Sequence, residues 1–169
     1  MTWLPASFSS KFLPLVEPFP KIPLGPGSKN LAQLPLLKEL ASNPVCTSVL
    51  TSDAQECCRS ALWLLHNFLD ESHEISQEIH SSTGSFWHGI MHRREPDAGN
   101  AKYWFHRVGS HPVLQQLREI APTVGYQYST PFDFIDFCER HRDMGTKEEH
   151  TAIAVQQLEW QLLFAHNLC

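Results

Sequence analysis

Apolar and small residues recur at steps of three and four through the middle of the chain, which is the spacing of one helix face. Ser52 and Gln55 stand at the start of this stretch, at the spacing of a capping box. The pattern predicts a helix from Asp53 to about Ile79, or two helices separated by a break at residues 70–72. The stripe consists of Ala54, Cys58, Ala61, Leu65, Phe68, Ser72, Ile75 and Ile79.

Shorter stretches with the same periodicity predict further helices, whose ends are marked by capping residues, prolines and glycines. They cover residues 35–41, 84–94, 100–108, 113–120 and 131–142, and a last helix follows Thr146 and Glu149. The inner stripe of that last helix is predicted to be Val155, Leu158, Leu162 and Ala165. Only residues 126–128 hint at extended structure. We therefore predict an all-α fold, either a single-domain helical bundle or an irregular α-array.

The first 34 residues differ from the rest of the chain. Seven of the twelve prolines lie within residues 1–35, which excludes a long helix or a central strand there. The same stretch is rich in aromatic and aliphatic residues, so it is too apolar for a solvated linker. We predict that residues 1–34 form an extended, Pro-rich arm packed on a helical domain of residues 35–169. The alternative is that the arm covers a second copy and forms a homodimer.

Composition excludes several classes of protein. Hydrophobic residues make up 42% of the 169 residues and charged residues 18%, which is too apolar for a disordered chain. A net charge of -5 argues against a nucleic-acid partner, which needs a clustered basic surface. We find no signal peptide and no apolar run long enough for a membrane span. The five cysteines have no metal or redox spacing, so we expect reduced thiols in a cytoplasmic protein.

The candidate chemistry begins on the predicted helix of residues 84–94. On a helical wheel, His88, His92 and Glu95 share an arc of about 60° bordered by apolar residues. Gly89 and Arg93 are the residues that the wheel leaves for solvent. Two imidazoles one turn apart, with a carboxylate beside them, can bind one Zn or Fe ion. We therefore treat His88, His92 and Glu95 as candidate catalytic residues and as candidate metal ligands.

Three other interpretations of these residues remain open. Without a metal, His92 and Glu95 can form an acid–base pair in which the carboxylate fixes the imidazole tautomer. The two histidines can instead bind an anion together with nearby arginines. The third interpretation is structural: the polar groups satisfy one another in a crowded core, with ion pairs from Arg94 to Asp97 and from Lys102 to Glu95.

A second cluster of polar and aromatic residues follows directly. If a helix begins near Asn100, then Asn100, Tyr103 and Arg107 lie on one face and can fold back toward His92. Flat aromatic rings and an arginine fork suit an organic anion. We predict a small-molecule pocket whose ligand-binding residues are Asp97, Asn100, Tyr103, Trp104, Arg107 and His111.

The run from His92 to Asp97, with Asn100–Trp104, Arg107–Gly109 and His111–Pro112, resembles a segment shared by a family of fungal and bacterial proteins. The resemblance covers about residues 84–114 and is specific as a string. The family pattern has Arg or Lys where this chain has His106. The resemblance implies no particular reaction.

The remaining candidates receive less weight. His66, His73 and His80 recur every seven residues and are predicted to lie on a solvated helix edge. Glu159 can add a carboxylate to the central site. The two functions we carry forward are a small helical enzyme that acts on a small organic molecule through a His/Glu-centred pocket, and a non-catalytic helical protein-interaction module.

Overall fold

The computed structural model describes residues 3–168, and within them the chain folds into α-helices and short 3-10 helices. The all-α prediction is confirmed: the described residues contain no strand, and their extended pairing is an isolated bridge between Phe8 and Cys46. The 3-10 helices are Ser10–Leu15, Leu31–Gln33, Glu39–Ala41 and Ala121–Val124. The α-helices are α1 (Leu34–Lys38), α2 (Ser52–Leu65), α3 (Leu69–Ser76), α4 (Ser82–Arg94), α5 (Ala98–Val108), α6 (Pro112–Ile120), α7 (Pro131–His141) and α8 (Lys147–Asn167).

The long helix predicted from Asp53 divides into α2 and α3, and the break lies earlier than residues 70–72. It falls at Asn67, whose backbone has a φ of 67°, a left-handed conformation that asparagine tolerates and a helix does not. The Asn67 side chain donates to the Ser28 carbonyl at 2.8 Å and accepts from Arg94 at 2.6 Å. Tertiary partners therefore fix the break. At the other end, Thr51 rather than Ser52 caps α2, by accepting from the Ala54 amide.

Helix α4 lies at the centre of the molecule and packs against α5, α3 and α2. Every residue from Gly84 to Arg94 is buried, so the expectation that Gly89 and Arg93 face solvent is wrong. The structural salt bridge from Arg94 to Asp97 does not form either. Arg94 donates instead to the Leu64 carbonyl at 2.7 Å and to the Gly25 carbonyl at 3.2 Å.

The predicted inner stripe of α8 is only partly right. Val155 is buried, but Leu158, Leu162 and Ala165 are half-buried. The buried face is rotated because three polar residues lie inside it, and a search for apolar periodicity does not detect them. That face consists of Ala152, Val155, Gln156, Glu159, Trp160, Leu163, Phe164 and Asn167.

The N-terminal segment contributes large side chains to the core. Phe12, Leu15 and Val16 are fully buried, and part of the segment is helical rather than extended. His66 holds this segment through its Nε2, 2.9 Å from the Leu15 carbonyl, so its predicted place on a solvated edge is wrong. The division of the chain into an arm of residues 1–34 and a helical domain of residues 35–169 stays a prediction. Residues 1 and 2 of that arm lie outside the described residues.

No helix between residues 3 and 168 is both long enough and apolar enough to cross a bilayer.

Substitution of Gly84 by Ala is expected to destabilise the fold. A Cβ at this position would lie 2.5 Å from the Ile79 carbonyl oxygen, which is backbone and cannot rotate away. Such overpacking costs about 1–3 kcal/mol, more than the helix propensity that alanine adds. Gly99 is the matched control, because its nearest neighbouring atom would lie at 3.6 Å. Urea denaturation should show a lower midpoint for Gly84→Ala alone, and equal midpoints for the two variants would contradict the argument.

Candidate metal centre

His88 and His92 lie one turn apart on α4 with their rings in contact. Their ring centroids are 4.6 Å apart, and their side chains are nearly inaccessible to solvent, with 1% and 5% of each residue exposed. The sequence places them on one helix face, and the structure buries that face against α3 and α5. Buried imidazoles need polar partners, so the groups around them define what they can do.

The third imidazole comes from α3. The His73 ring centroid lies 4.7 Å from that of His88 and 5.3 Å from that of His92. One potential ligand nitrogen from each of the three rings lies within 4.8 Å of the others. The prediction of a solvated edge is therefore wrong for His73, which is half-buried and faces α4. We refer to His73, His88 and His92 as the three-histidine cluster.

The Nδ1 atoms of both buried rings are held by hydrogen bonds. His92 Nδ1 lies 2.7 Å from Glu95 Oε2, and His88 Nδ1 lies 2.7 Å from the Ser76 hydroxyl. A carboxylate only accepts, so His92 carries a proton on Nδ1 and donates it to Glu95. The Ser76 hydroxyl donates to the His73 carbonyl at 3.4 Å and so accepts from His88 Nδ1, which leaves Nε2 of each ring as the nitrogen with a free lone pair. Metal-bound histidines usually have this kind of outer hydrogen bond.

The His88 ring is held in its neutral form. Burial, together with the neighbouring His92 and His73 rings, lowers the pKa of His88 to about 3. Neutral imidazole is the form that binds a metal. The crowding that disfavours a proton on His88 therefore leaves a lone pair available at neutral pH.

The residues present fit a tetrahedral or trigonal transition-metal site. With Zn–N bonds of about 2.1 Å, tetrahedral ligand nitrogens stand about 3.4 Å apart. The cluster nitrogens lie within 4.8 Å of one another, so binding requires each pair to close by no more than about 1.4 Å. The half-buried His73 connects the cluster to the surface. Three protein ligands leave one coordination position open, as in catalytic zinc sites.

The aromatic and cationic residues of α5 extend outward from the cluster. Trp104 covers His88, with ring centroids 4.1 Å apart. The Arg107 guanidinium lies 5.2 Å from the Trp104 ring, and Tyr103 contacts the same ring edge-on. Tyr103 is 54% exposed, and Arg107 is also exposed. These three residues form a surface above the cluster rather than the wall of a closed pocket.

The other residues predicted to bind ligand are placed differently. Asp97 caps α5 by accepting from the Asn100 amide at 2.9 Å, and Asn100 is exposed in its first turn. Asp97 also has a carboxylate oxygen within 4.8 Å of the ligand atoms of His92 and Glu95. His111 is not part of the cluster: it caps α6 and contacts Thr83 and His166. The proposed ion pair from Lys102 to Glu95 is absent, because Lys102 pairs with Asp136 at 2.6 Å.

Glu95 is the member of the predicted triad that reaches solvent. It lines a hollow of about 310 Å³ together with Lys29, Asn67 and Asp70. This hollow lies between the N-terminal segment and α3, whereas the sequence predicts that Tyr103 or Trp104 lines the pocket wall. The carboxylate is thus bonded to His92 on one side and open to solvent on the other.

Two residues of the site were missed by sequence reasoning. The sequence predicts His73 on a solvated edge because it flanks the apolar stripe, and no pattern in the sequence indicates a role for Ser76. His73 and Ser76 lie one helical turn apart, and this spacing places both on one face of α3. Using that signal requires knowing that the long predicted helix breaks at Asn67. Glu159, in contrast, does not join the cluster, because it pairs with Arg93 in the core.

Comparison with protein-family models, with curated proteins and with solved structures finds no match to this chain. The class that the geometry itself defines is an all-α protein with a three-histidine cluster, two of whose rings are buried.

Proposed function

We propose that this protein is a small helical metalloenzyme that acts on a small organic molecule. The three-histidine cluster carries the proposal: three imidazoles from two helices converge, and the two buried rings are oriented by Ser76 and Glu95. A set of three nitrogen ligands favours Zn²⁺ or Fe²⁺ over Mg²⁺ and Ca²⁺, which prefer oxygen. The ligands are then His73, His88 and His92, and Glu95 acts through His92.

This assignment revises the ligand set expected from sequence. Glu95 was a candidate ligand, but its Oε2 is engaged by His92 Nδ1, the position of a carboxylate that orients a metal-bound imidazole. His73 takes its place in the ligand set. His88 and His92 keep the role that the helical wheel suggests.

The residues around the proposed metal site have different roles in the proposed reaction. A divalent transition metal with an open coordination position supplies Lewis acidity to a bound water or substrate group. Glu95 orients the His92 ring and, from its solvent-exposed side, can accept or return a proton. Trp104 shields one side of His88 from water. Arg107 and Tyr103, outside Trp104, present a cation and a hydroxyl to an anionic substrate.

The cluster favours metal-assisted chemistry over metal-free acid–base catalysis. An acid–base pair needs only His92 and Glu95, and it leaves the convergence of His73 and His88 without a role. Burial and the two neighbouring rings also lower the pKa of His88, so this ring is neutral, which is the form that a metal binds.

Metal content is the test of the proposal. Protein purified without a histidine tag and exposed to Zn²⁺ or Fe²⁺ should retain about one ion per chain after dialysis, measured by elemental mass spectrometry. Glu95→Gln should weaken binding about 10–100-fold, because the amide cannot accept the imidazole proton as strongly as a carboxylate. Glu78→Gln, an exposed glutamate after α3, is the control and should bind as wild type does.

Failure to retain any transition metal would contradict the proposal. Equal affinities for the wild type and Glu95→Gln would show instead that Glu95 does not act through His92.

A second candidate function is a non-catalytic protein-interaction module, including a homodimer through the N-terminal residues. Leu13 and Leu31, 37% and 68% exposed, favour it because both lie in the N-terminal segment. A metal-free protein that sediments as a dimer would favour this candidate over the enzyme.

We also propose a cytoplasmic location. Cys46, Cys57, Cys58 and Cys138 are free and buried, as expected in a reducing compartment.

Burial raises the pKa of Cys57 to about 12, so its thiol is not a nucleophile. The net charge of -5 argues against a nucleic-acid partner.

A further inference from the structure

A metal ion has to pass from solvent into the three-histidine cluster, because two of the three rings belong to residues that are only 1% and 5% exposed. A buried metal site needs an entry path as well as ligands. Exposed charged residues approach the cluster on two sides. On one side Arg107 lies outside Trp104, and on another side Glu95 and Asp97 lie in the turn that follows α4.

The Trp104 side carries a positive charge that opposes a metal ion. The Arg107 guanidinium lies 5.2 Å from the Trp104 ring and is exposed, and no carboxylate within residues 3–168 pairs with it. Helix α5, which holds both residues, contains no aspartate or glutamate. Like charges repel most strongly at short range, so a divalent cation is disfavoured here.

The turn between α4 and α5 carries two carboxylates instead. The Glu95 side chain is 40% exposed, and Asp97 is exposed as well. One oxygen of each lies within 4.8 Å of the other and of a nitrogen of His92. His92 also belongs to the three-histidine cluster, so these carboxylates lie directly beside it. An ion that they hold is therefore next to its final ligands.

The backbone fixes Asp97 in this place. Its amide donates to the His92 carbonyl at 2.8 Å, and its Oδ1 accepts from the Asn100 amide at 2.9 Å. The helix cap thus occupies one oxygen of the carboxylate. The other oxygen has no hydrogen-bond partner in the part of the chain that the structure describes, and a cation can bind to it.

The hollow beside Glu95 has an excess of negative charge. Lys29 lines it, but the Lys29 Nζ lies 3.2 Å from Glu71 and 3.6 Å from Asp70. Arg94 is a second cation nearby, and it donates to the Asn67 side chain, which lines the same hollow. The carboxylates that oppose these two cations are Asp70, Glu71, Glu95 and Asp97. Such an excess attracts cations and speeds their association.

We infer that Glu95 and Asp97 form the entrance through which a divalent metal ion reaches the three-histidine cluster. The carboxylate oxygens that His92 and Asn100 leave free take up the hydrated ion from solvent. The ion then exchanges carboxylate oxygens and water for the three imidazole nitrogens, with no change in its charge. Asp97 is not a ligand in the final site. This inference rests on the proposed function, because it requires the cluster to be the final site.

The test measures how fast metal-free protein takes up Zn²⁺, by stopped flow with a zinc-sensitive dye, and how fast loaded protein releases Zn²⁺ to excess chelator. Asp97→Asn should slow uptake about tenfold, because it removes part of the attraction. Release should slow in parallel, since both steps pass the same carboxylates, so Kd changes little. Asparagine caps a helix as well as aspartate does, and α5 therefore keeps its N-terminus.

Asp53→Asn is the matched control. Asp53 is an exposed aspartate in the first turn of α2, and it shares a hollow with Ser81, at the opposite end of α4 from Asp97. Its uptake and release rates should equal those of wild type. Asp97→Ser, which also retains a capping oxygen, should repeat the slow uptake of Asp97→Asn. Added salt should slow uptake by wild type more than by either Asp97 variant.

Equal uptake rates for wild type and both Asp97 variants would overturn the inference, while retention of Zn²⁺ would still support the proposed function. Faster release from Asp97→Asn would also overturn it, because Asp97 would then be a ligand of the final site. Wild type that takes up no Zn²⁺ would overturn this inference as well, and metal content then decides the proposed function separately.

Discussion

Glu159→Gln is expected to lower the free energy of unfolding by about 3–5 kcal/mol, the usual cost of breaking a buried ion pair from one side. Arg93 and Glu159 are both fully buried, and Arg93 Nη1 donates to Glu159 Oε1 at 3.1 Å. Burial alone lowers the pKa of Arg93, but the charge and hydrogen bonds of Glu159, together with the nearby Cys138 and Tyr128, outweigh burial and raise the pKa above its usual value. Arg93 therefore stays charged, and removal of its counterion causes a large loss of stability.

The neighbours of Arg93 cannot replace that carboxylate. Gln156 Oε1 accepts from Nη2 at 3.2 Å, and the Phe134 ring lies 4.7 Å from the guanidinium. Both contacts help to place the cation, but neither brings a negative charge. Denaturant unfolding measures the effect. Glu74→Gln, an exposed change on α3, is the control and should alter stability by less than about 0.5 kcal/mol.

A double variant separates the charge from the packing. Arg93→Met combined with Glu159→Leu removes both charges and keeps much of the volume, so it should be more stable than Glu159→Gln alone. If the free energy of unfolding of Glu159→Gln lies within about 1 kcal/mol of the wild-type value, the ion pair contributes less to stability than its burial implies.

His92→Ala is expected to weaken metal binding more than about a hundredfold, since loss of a ligand must exceed the 10–100-fold loss seen for its outer-shell partners. The change removes one of three ligands and also releases Glu95 from its hydrogen bond. At a free metal concentration of 100 times Kd, wild type should gain about 2.7 kcal/mol of stability, and the variant should gain almost none. Thermal melts with and without metal give both values.

The metal-free melt distinguishes this function from a purely structural role. If His88, His92 and Glu95 are a structural network, metal-free His88→Ala, His92→Ala and Glu95→Gln should each lose about 1–3 kcal/mol. If they are held for chemistry, His92→Ala should melt near the metal-free wild type and lose only the metal-dependent gain. His80→Ala, at an exposed histidine after α3, is the control and should retain full metal-dependent stabilisation.

The sequence alone determined the class of fold and most helix bounds. Periodicity and caps located α4 to α8 within about two residues, because these signals are local: Thr146, for example, caps α8 through its own side chain. The same local geometry put His88 and His92 on one face of α4, since residues four apart on a helix always lie near each other.

Only the tertiary structure decided which polar residues lie inside. Arg93 and Glu159 are 66 positions apart, and no local pattern shows that they form an ion pair in the core. The α2–α3 break depends on Asn67 meeting Ser28 and Arg94, and that break brings His73 to His88. The histidine cluster is therefore a product of packing between helices, and its third member could not be found by the periodicity of a single helix.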